Sequence, residues 1–258
     1  MLVEQASPHR TRRRLLLSTA AWLALAGVGG AHAGPLPGDP PVYRTQLPPP
    51  VVLNYALRLG LFSGSGDLSW RPNGQRYEAR LEGRIAGFNV LTQVSQGQLD
   101  RAGIAPLHHT DKRLRRPLQA ARFERERGKI TFSGPRTEYP LPAGAQDRLS
   151  WMIQLAAVAA ADPQRVAPGG RVEMFVVGAR GDANAWEFRY VGHETVETAS
   201  GEVVRCAKFA RESRQGGDMQ VEVWLDPAPH HLPVRAKLTT PSNGDSLELL
   251  LRELQSPP

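Results

Sequence analysis

"DRLSWMIQLAAVAAAD", residues 147–162, is the stretch on which the fold turns. Asp147 is a good N-cap and Pro163 a stop, so a helix is expected over about 147–161. Leu149, Met152, Ile153, Ala156 and Ala160 form one helical stripe, yet Trp151, Leu155 and Val158 fall on other faces. A helix that is apolar nearly all round is buried on more than one side. This one is too short to span a bilayer and carries Gln154.

Outward from this segment the chain alternates with a period of two. Val51, Leu53, Tyr55, Leu57, Leu59 and Leu61 share one face, with Asn54 and Arg58 on the other, which predicts a long half-buried strand. Ser63 to Gly66 read as a bend or bulge, "DLSW" continues the strand, and "RPNG" (residues 71–74) reads as a turn. "RYEARLEGRI" alternates again, and further strands are expected at 88–99, 121–125, 129–132, 172–177 and 186–190. Later ones fall at 203–211, 219–225, 234–239 and 247–254. Short connections favour antiparallel neighbours, and the charged alternate positions give the sheet one wet face. The expected fold is mainly β: a curved antiparallel sheet or open barrel, one domain over residues 51–254, with the apolar helix at its centre.

The N-terminus reads as an address. Arg12, Arg13 and Arg14 precede a short apolar run that ends in Ala31-His32-Ala33, the form of a cleavable export signal. The arginines before the apolar run resemble a twin-arginine signal, with an ordinary secretory signal as the alternative. Cleavage after Ala33 leaves 225 residues, and periplasmic localisation is expected. Seven of the 17 residues from Gly34 to Pro50 are proline, which predicts a semi-rigid extended leader.

Charge and cysteine usage narrow the function classes. Removing the signal leaves 28 basic and 24 acidic side chains, a net +4, which with export argues against nucleic acid as a partner. Cys206 is the single cysteine, so no intrachain disulfide holds the fold. It lies in a strand-like run and reads as a buried small hydrophobe.

Several landmarks occur in order: "NYALRLGLFSGSGDLSW", "YEARLEGRIAG", the helical stretch, "WEFRYVGHETVETASGEVVRCAKFARE" and "VEVWLDPAPHHLPVRAKL". Together they resemble an uncharacterised family of exported bacterial proteins, domain of unknown function 3108, over essentially residues 50–254. Glu-x-Trp-Leu-x-Pro followed by Leu-Pro-Val-Arg is the more specific part. The resemblance implies a fold similar in outline to periplasmic lipoprotein carriers of the LolA and LolB type, and it implies no activity.

Catalytic and metal signatures are sparse. His230 and His231 sit between two strands in "WLDPAPHHLPVR", flanked by prolines that cannot donate to a ladder, and read as a turn. A zinc site would have to gather His109, His231 and Asp226 from distant parts of the chain. No Gly-x-Ser-x-Gly elbow, Ser-x-x-Lys motif or phosphate-binding glycine loop is present. No catalytic residue, metal or cofactor is assigned, and the chain is read as a non-enzyme.

One compositional feature stands out. Residues 112–129, "KRLRRPLQAARFERERGK", carry eight basic side chains against Glu124 and Glu126, a local +6. Beside an apolar concavity this suits an anionic amphiphile, with its head on guanidinium groups and its chains inside. The alternative is a charged edge that discourages aggregation. The expected ligand contacts are Lys112, Arg113, Arg115 and Arg116 for the head, and Trp151, Met152 and Leu155 for the apolar part. The leading expectation is a binding or carrier-type protein for an apolar or amphipathic envelope component such as a lipid. The alternatives are a scaffold for another envelope protein and a hydrolase with scattered site residues.

Overall fold

The computed structural model describes residues 40–211, 219–228, 230–240 and 244–256. The export signal expected over residues 1–33 lies outside the described residues. Among the described residues fifteen strands form one sheet. The first run is β1 (Val51–Leu59), β2 (Phe62–Asn73), β3 (Arg76–Ile85), β4 (Phe88–Asp100), β5 (Gly103–Arg113), β6 (Gln119–Glu124), β7 (Lys129–Phe132) and β8 (Tyr139–Pro140). The second is β9 (Gln146–Asp147), β10 (Arg171–Val177), β11 (Ala183–Glu197), β12 (Val203–Arg211), β13 (Gln220–Asp226), β14 (Leu232–Thr240) and β15 (Asp245–Gln255).

The spatial order runs from β8 back to β1, then from β15 back to β9. Each strand therefore pairs with its neighbour in sequence, and β1 pairs with β15 to close the seam between the ends of the domain. No ladder joins β8 to β9, so the barrel stays open there. Among the described residues the one parallel pair is β9 with β10, and the helix α1 (Ser150–Ala161) is its crossover. The break in the barrel and the helix thus share one origin: a parallel partner needs a crossover, and the apolar crossover folds inward.

α1 fills the concavity. Every residue from Ser150 to Ala159 is buried, as its all-round apolar character requires. It begins three residues later than expected, yet Asp147 still caps it. The Asp147 carboxylate accepts the N–H groups of Leu149 and Ser150, each at 2.8 Å, and Ser150 Oγ accepts the N–H of Asp147 at 2.9 Å. This reciprocal exchange has the logic of a capping box. Gln154, the polar intruder, accepts the Ile104 N–H at 2.9 Å and donates to the Ala102 carbonyl at 2.6 Å, so the helix is stitched to the start of β5. Trp151 stacks on Phe188 at 5.1 Å and meets Trp186 at 5.7 Å, tying α1 to β11.

Several local expectations change. The strand expected to run to Leu61 ends at Leu59, because Gly60 adopts a positive φ and turns the chain, leaving Leu61 exposed. Ser63 to Gly66 lie within β2 rather than in a bend. Gly64 is needed there because a Cβ would sit 1.9 Å from the Arg84 carbonyl oxygen of β3. β5 was not expected, since Pro106 and the paired histidines obscure its alternation; a bulge opposite Gly97 absorbs the proline. β11 runs well past the expected 186–190 through a register shift at Gly192.

The described part of the proline-rich leader is not a free tether. Gln46 donates its N–H to Ala157 of α1 at 2.9 Å, Tyr43 Oη accepts the Glu173 N–H at 2.8 Å, and the Pro48 carbonyl accepts from Trp70 Nε1 at 3.1 Å. Proline lacks an N–H donor, so Pro48 is held through its carbonyl, while Gln46 supplies a backbone N–H and Tyr43 a side-chain hydroxyl. Among the described residues no helix is long and apolar enough to cross a membrane.

Candidate functional site

Among the described residues, a cavity of about 260 Å³ remains beside α1 at the end where β2, β4 and β6 begin. Its floor is apolar: Leu81 of β3, Trp151 and Met152 of α1, Leu238 of β14, and Leu247 and Leu249 of β15. Its rim is charged: Asp111 and Arg113 of β5, Arg148 just before α1, and Arg180 and Asp182 of the turn between β10 and β11.

The rim charges are interlocked. Asp111 lies 3.3 Å from Arg113 Nε and 3.5 Å from an Arg180 nitrogen. Arg148 pairs with Asp182, donates to Met219 Sδ at 3.2 Å, and places its guanidinium 4.5 Å from the Trp186 ring centre. Three guanidinium groups against two carboxylates leave the mouth net positive. Trp151 Nε1 is buried with no hydrogen-bond partner, so a donor is left unused in a residue that lines the cavity.

Three of the seven expected contacts meet here: Arg113, Trp151 and Met152. Leu155, one turn further along α1, is wholly buried in the packed core and does not line the cavity. Lys112 points to solvent and donates to the Arg116 carbonyl at 2.6 Å, closing the turn that carries Arg115 and Arg116. These three cations stand on the rim outside the cavity. The rest of the basic stretch is carried by β6 to the opposite end, where Arg127 pairs with Glu124 and Lys129 with Glu138. The local +6 is therefore two patches, one of them largely neutralised. Sequence reading missed Asp111, Arg148, Arg180 and Asp182, which come from separate segments and carry no local motif.

A wider depression of about 640 Å³ lies at the opposite end, lined mainly by polar side chains such as Arg71, Arg76, Gln96 and His108. Burial and the neighbouring Arg122 hold the His108 imidazole below its ordinary pKa.

The histidines do not converge. His230 and His231 both take positive φ, 57° and 55°, in the turn between β13 and β14. His109 is buried in β5, with Nδ1 3.1 Å from the Val94 carbonyl. Among the described residues no group of three or more His, Cys, Asp or Glu side chains is placed to hold a metal ion.

The landmark motifs of the second half of the chain meet around Trp224. Trp224 Nε1 donates to Glu194 at 2.7 Å, and its ring is covered by Lys208 at 4.8 Å and Arg235 at 4.7 Å. Lys208 bridges Glu194 and Glu222, while Arg235 donates to Glu248 through Nε at 2.8 Å. The Glu-x-Trp and Leu-Pro-Val-Arg segments thus brace β11 to β15.

No curated protein matches the chain. Among solved structures it is similar to a β-barrel-like protein of domain of unknown function DUF1849 from Brucella abortus. The two share 14% identity over 81% of this chain and 98% of that one, with a TM-score of 0.53. It is more distantly similar to the lipoprotein LppX of Mycobacterium tuberculosis, with 13% identity over 80% and 87% of the two chains and a TM-score of 0.28. The first likeness is one of fold, in keeping with the curved sheet around one helix. The family model for "Protein of unknown function (DUF3108)" matches residues 53–252, and the chain belongs to that family.

Proposed function

We propose that this chain is a non-enzymatic binding protein of the cell envelope whose ligand is a small anionic amphiphile. The single observation that carries this reading is the joining of an apolar floor, with Trp151 and Met152, to an arginine rim, with Arg113, Arg148 and Arg180, in one cavity. The apolar part of the ligand rests against the floor and its phosphate or carboxylate head meets the guanidinium groups.

The cavity size revises the expected mechanism. At about 260 Å³ it lies below the roughly 300–1,000 Å³ of sites for drug-sized ligands, because α1 occupies the space that acyl chains would fill. It takes one short chain or a ring, not a whole two-chain lipid. Burying about 150 Å² of apolar surface contributes about 4 kcal/mol. A charge-assisted hydrogen bond adds about 2 kcal/mol, and the freedom lost on association offsets part of the sum, so the expected dissociation constant is no tighter than on the order of 10–100 µM. The alternative of a scaffold that captures a partner strand has less to draw on, since both edge strands, β8 and β9, are two residues long.

Calorimetric titration with octyl phosphate tests the reading. One site is expected, lost on Met152→Trp, which fills the floor, and weakened about tenfold or more on Arg180→Glu. No saturable binding, or equal binding by Met152→Trp, overturns it.

A further inference from the structure

Three turns stand side by side at the cavity end of the barrel. Leu59 pairs with Phe62 across the first, Ile85 with Phe88 across the second, and Asp111 with Gln119 across the third. Ser65 lies opposite Arg84 and Leu91 opposite Arg113, which places all three turns at the same end. With two strands between successive turns, their tips are about 10 Å apart.

These turns are unusually apolar for exposed loops. Leu61 is 98% exposed, Phe62 66%, Phe88 69%, Leu114 51% and Leu118 55%. Among the described residues ten large hydrophobic side chains are exposed, and five of them stand on these three turns. The other five are scattered singly over the leader and the rest of the sheet, the normal background for a folded surface.

The same turns are basic. Lys112, Arg115 and Arg116 flank Leu114 and Leu118. Arg136 follows on the loop after β7, whose last residue, Phe132, lies opposite Ala121 near the start of β6. Among the described residues no ion pair engages any of these four cations, and Asp111, the nearest carboxylate on β5, is already held by Arg113 and Arg180.

We propose that this end of the barrel docks on an anionic lipid surface. Leu61, Phe62, Phe88, Leu114 and Leu118 enter the headgroup region, and Lys112, Arg115, Arg116 and Arg136 meet the lipid phosphates. A protein partner would call for one contiguous apolar core with a polar rim. Here the apolar tips are spaced apart and interleaved with cations, an arrangement that suits a fluid surface with no fixed shape. The proposal goes beyond the small ligand of the cavity and does not depend on it.

Local fluorescence tests it. In the full chain, Cys206→Ala removes the single native thiol. An environment-sensitive label is then placed at Leu61→Cys, Phe88→Cys, Leu118→Cys or, as a control at the opposite end, Val203→Cys. Vesicles of phosphatidylglycerol mixed with phosphatidylcholine are expected to shift emission to the blue at the three turn positions and not at Val203. The shift is expected to be lost on pure phosphatidylcholine, and to need about tenfold more lipid in a chain carrying Arg115→Asn and Arg116→Gln. Asparagine is chosen because residue 115 has a positive φ of 58°, which asparagine tolerates. No shift at the turns, an equal shift at Val203, or a shift indifferent to lipid charge and to these substitutions overturns the proposal. Octyl phosphate binding is read by calorimetry without vesicles, so either proposal can fail alone.

Discussion

Asp147 Oδ1 lies 3.5 Å from His109 Nδ1, and neither side chain touches solvent. Around this pair a buried polar chain ties five elements together: β3, β4, β5, β9 and α1. Ser95 of β4 donates to the Asp147 carboxylate, Tyr77 of β3 shares a hydrogen bond with Ser95 at 2.8 Å, and the same carboxylate caps α1. Each member lies in the interior, where a polar group left without a partner is costly.

This makes Asp147 a structural hub. Asp147→Ala removes the cap, leaving the buried Leu149 and Ser150 N–H groups unpaired, and takes the carboxylate partner from Ser95, for a total loss of about 3 kcal/mol. Asp147→Asn keeps one acceptor oxygen and is expected to lose less. The midpoint of urea unfolding measures both. A loss below about 1 kcal/mol for the alanine variant would show that the helix does not depend on this cap.

Trp224 and Glu194 give the second prediction. The hydrogen bond from Trp224 is the main cause that holds the Glu194 carboxyl below its ordinary pKa; partial burial opposes it and Lys208 assists it. Trp224→Phe keeps a ring beneath Lys208 and Arg235 but removes the donor, at a cost of about 1–2 kcal/mol near neutral pH. A carboxyl whose pKa is depressed on folding contributes stability above its unfolded pKa and loses it as pH falls through the folded value. The gap between the native chain and Trp224→Phe is therefore expected to narrow below about pH 4, as chemical denaturation across that range will register. A gap independent of pH would assign the loss to packing alone.

Much of this architecture was legible in the sequence, and the exceptions have physical causes. Val51 to Leu57 alternate because one face meets the core, and α1 is recognisable because no solvent face interrupts it. β5 was hidden by Pro106, whose missing donor falls at a bulge. The candidate site was half legible. Arg113 stood out within a charge run, and Trp151 and Met152 within an apolar helix. Arg148, Arg180 and Asp111 reach the same cavity from separate segments, and only the closure of the barrel brings them together. The basic run misled in the opposite sense, since strand β6, at about 3.3 Å per residue, carries its two halves some 20 Å apart.

Cys206 gives a third prediction. Burial, with the Asp226 carboxylate assisting, pushes its thiol pKa up to about 12. The thiolate is the reactive form, so at pH 8 the folded chain holds very little of it. Labelling by a disulfide reagent is expected to be negligible in the native state and complete after unfolding, with a rate that follows the population of unfolded chain. Rapid labelling without denaturant would contradict the burial of this strand.

The turn at His230 and His231 provides the last. Both residues sit in the left-handed region, which costs a residue bearing a Cβ roughly 1–2 kcal/mol relative to glycine. Asparagine and glycine are the residues this conformation favours, so His230→Asn with His231→Gly is expected to stabilise the fold by about 1 kcal/mol or more. Burial also holds the His231 imidazole below its ordinary pKa, although Asp226 pulls the other way. A histidine depressed on folding leaves the unfolded chain binding more protons, so its effect is absent well above pH 6.5 and destabilises as pH falls below that value. The double substitution removes this penalty, and its advantage should grow between pH 7 and pH 5. Thermal unfolding at the two pH values measures both parts, and a variant less stable than the native chain at neutral pH would mean that the imidazoles hold the turn themselves.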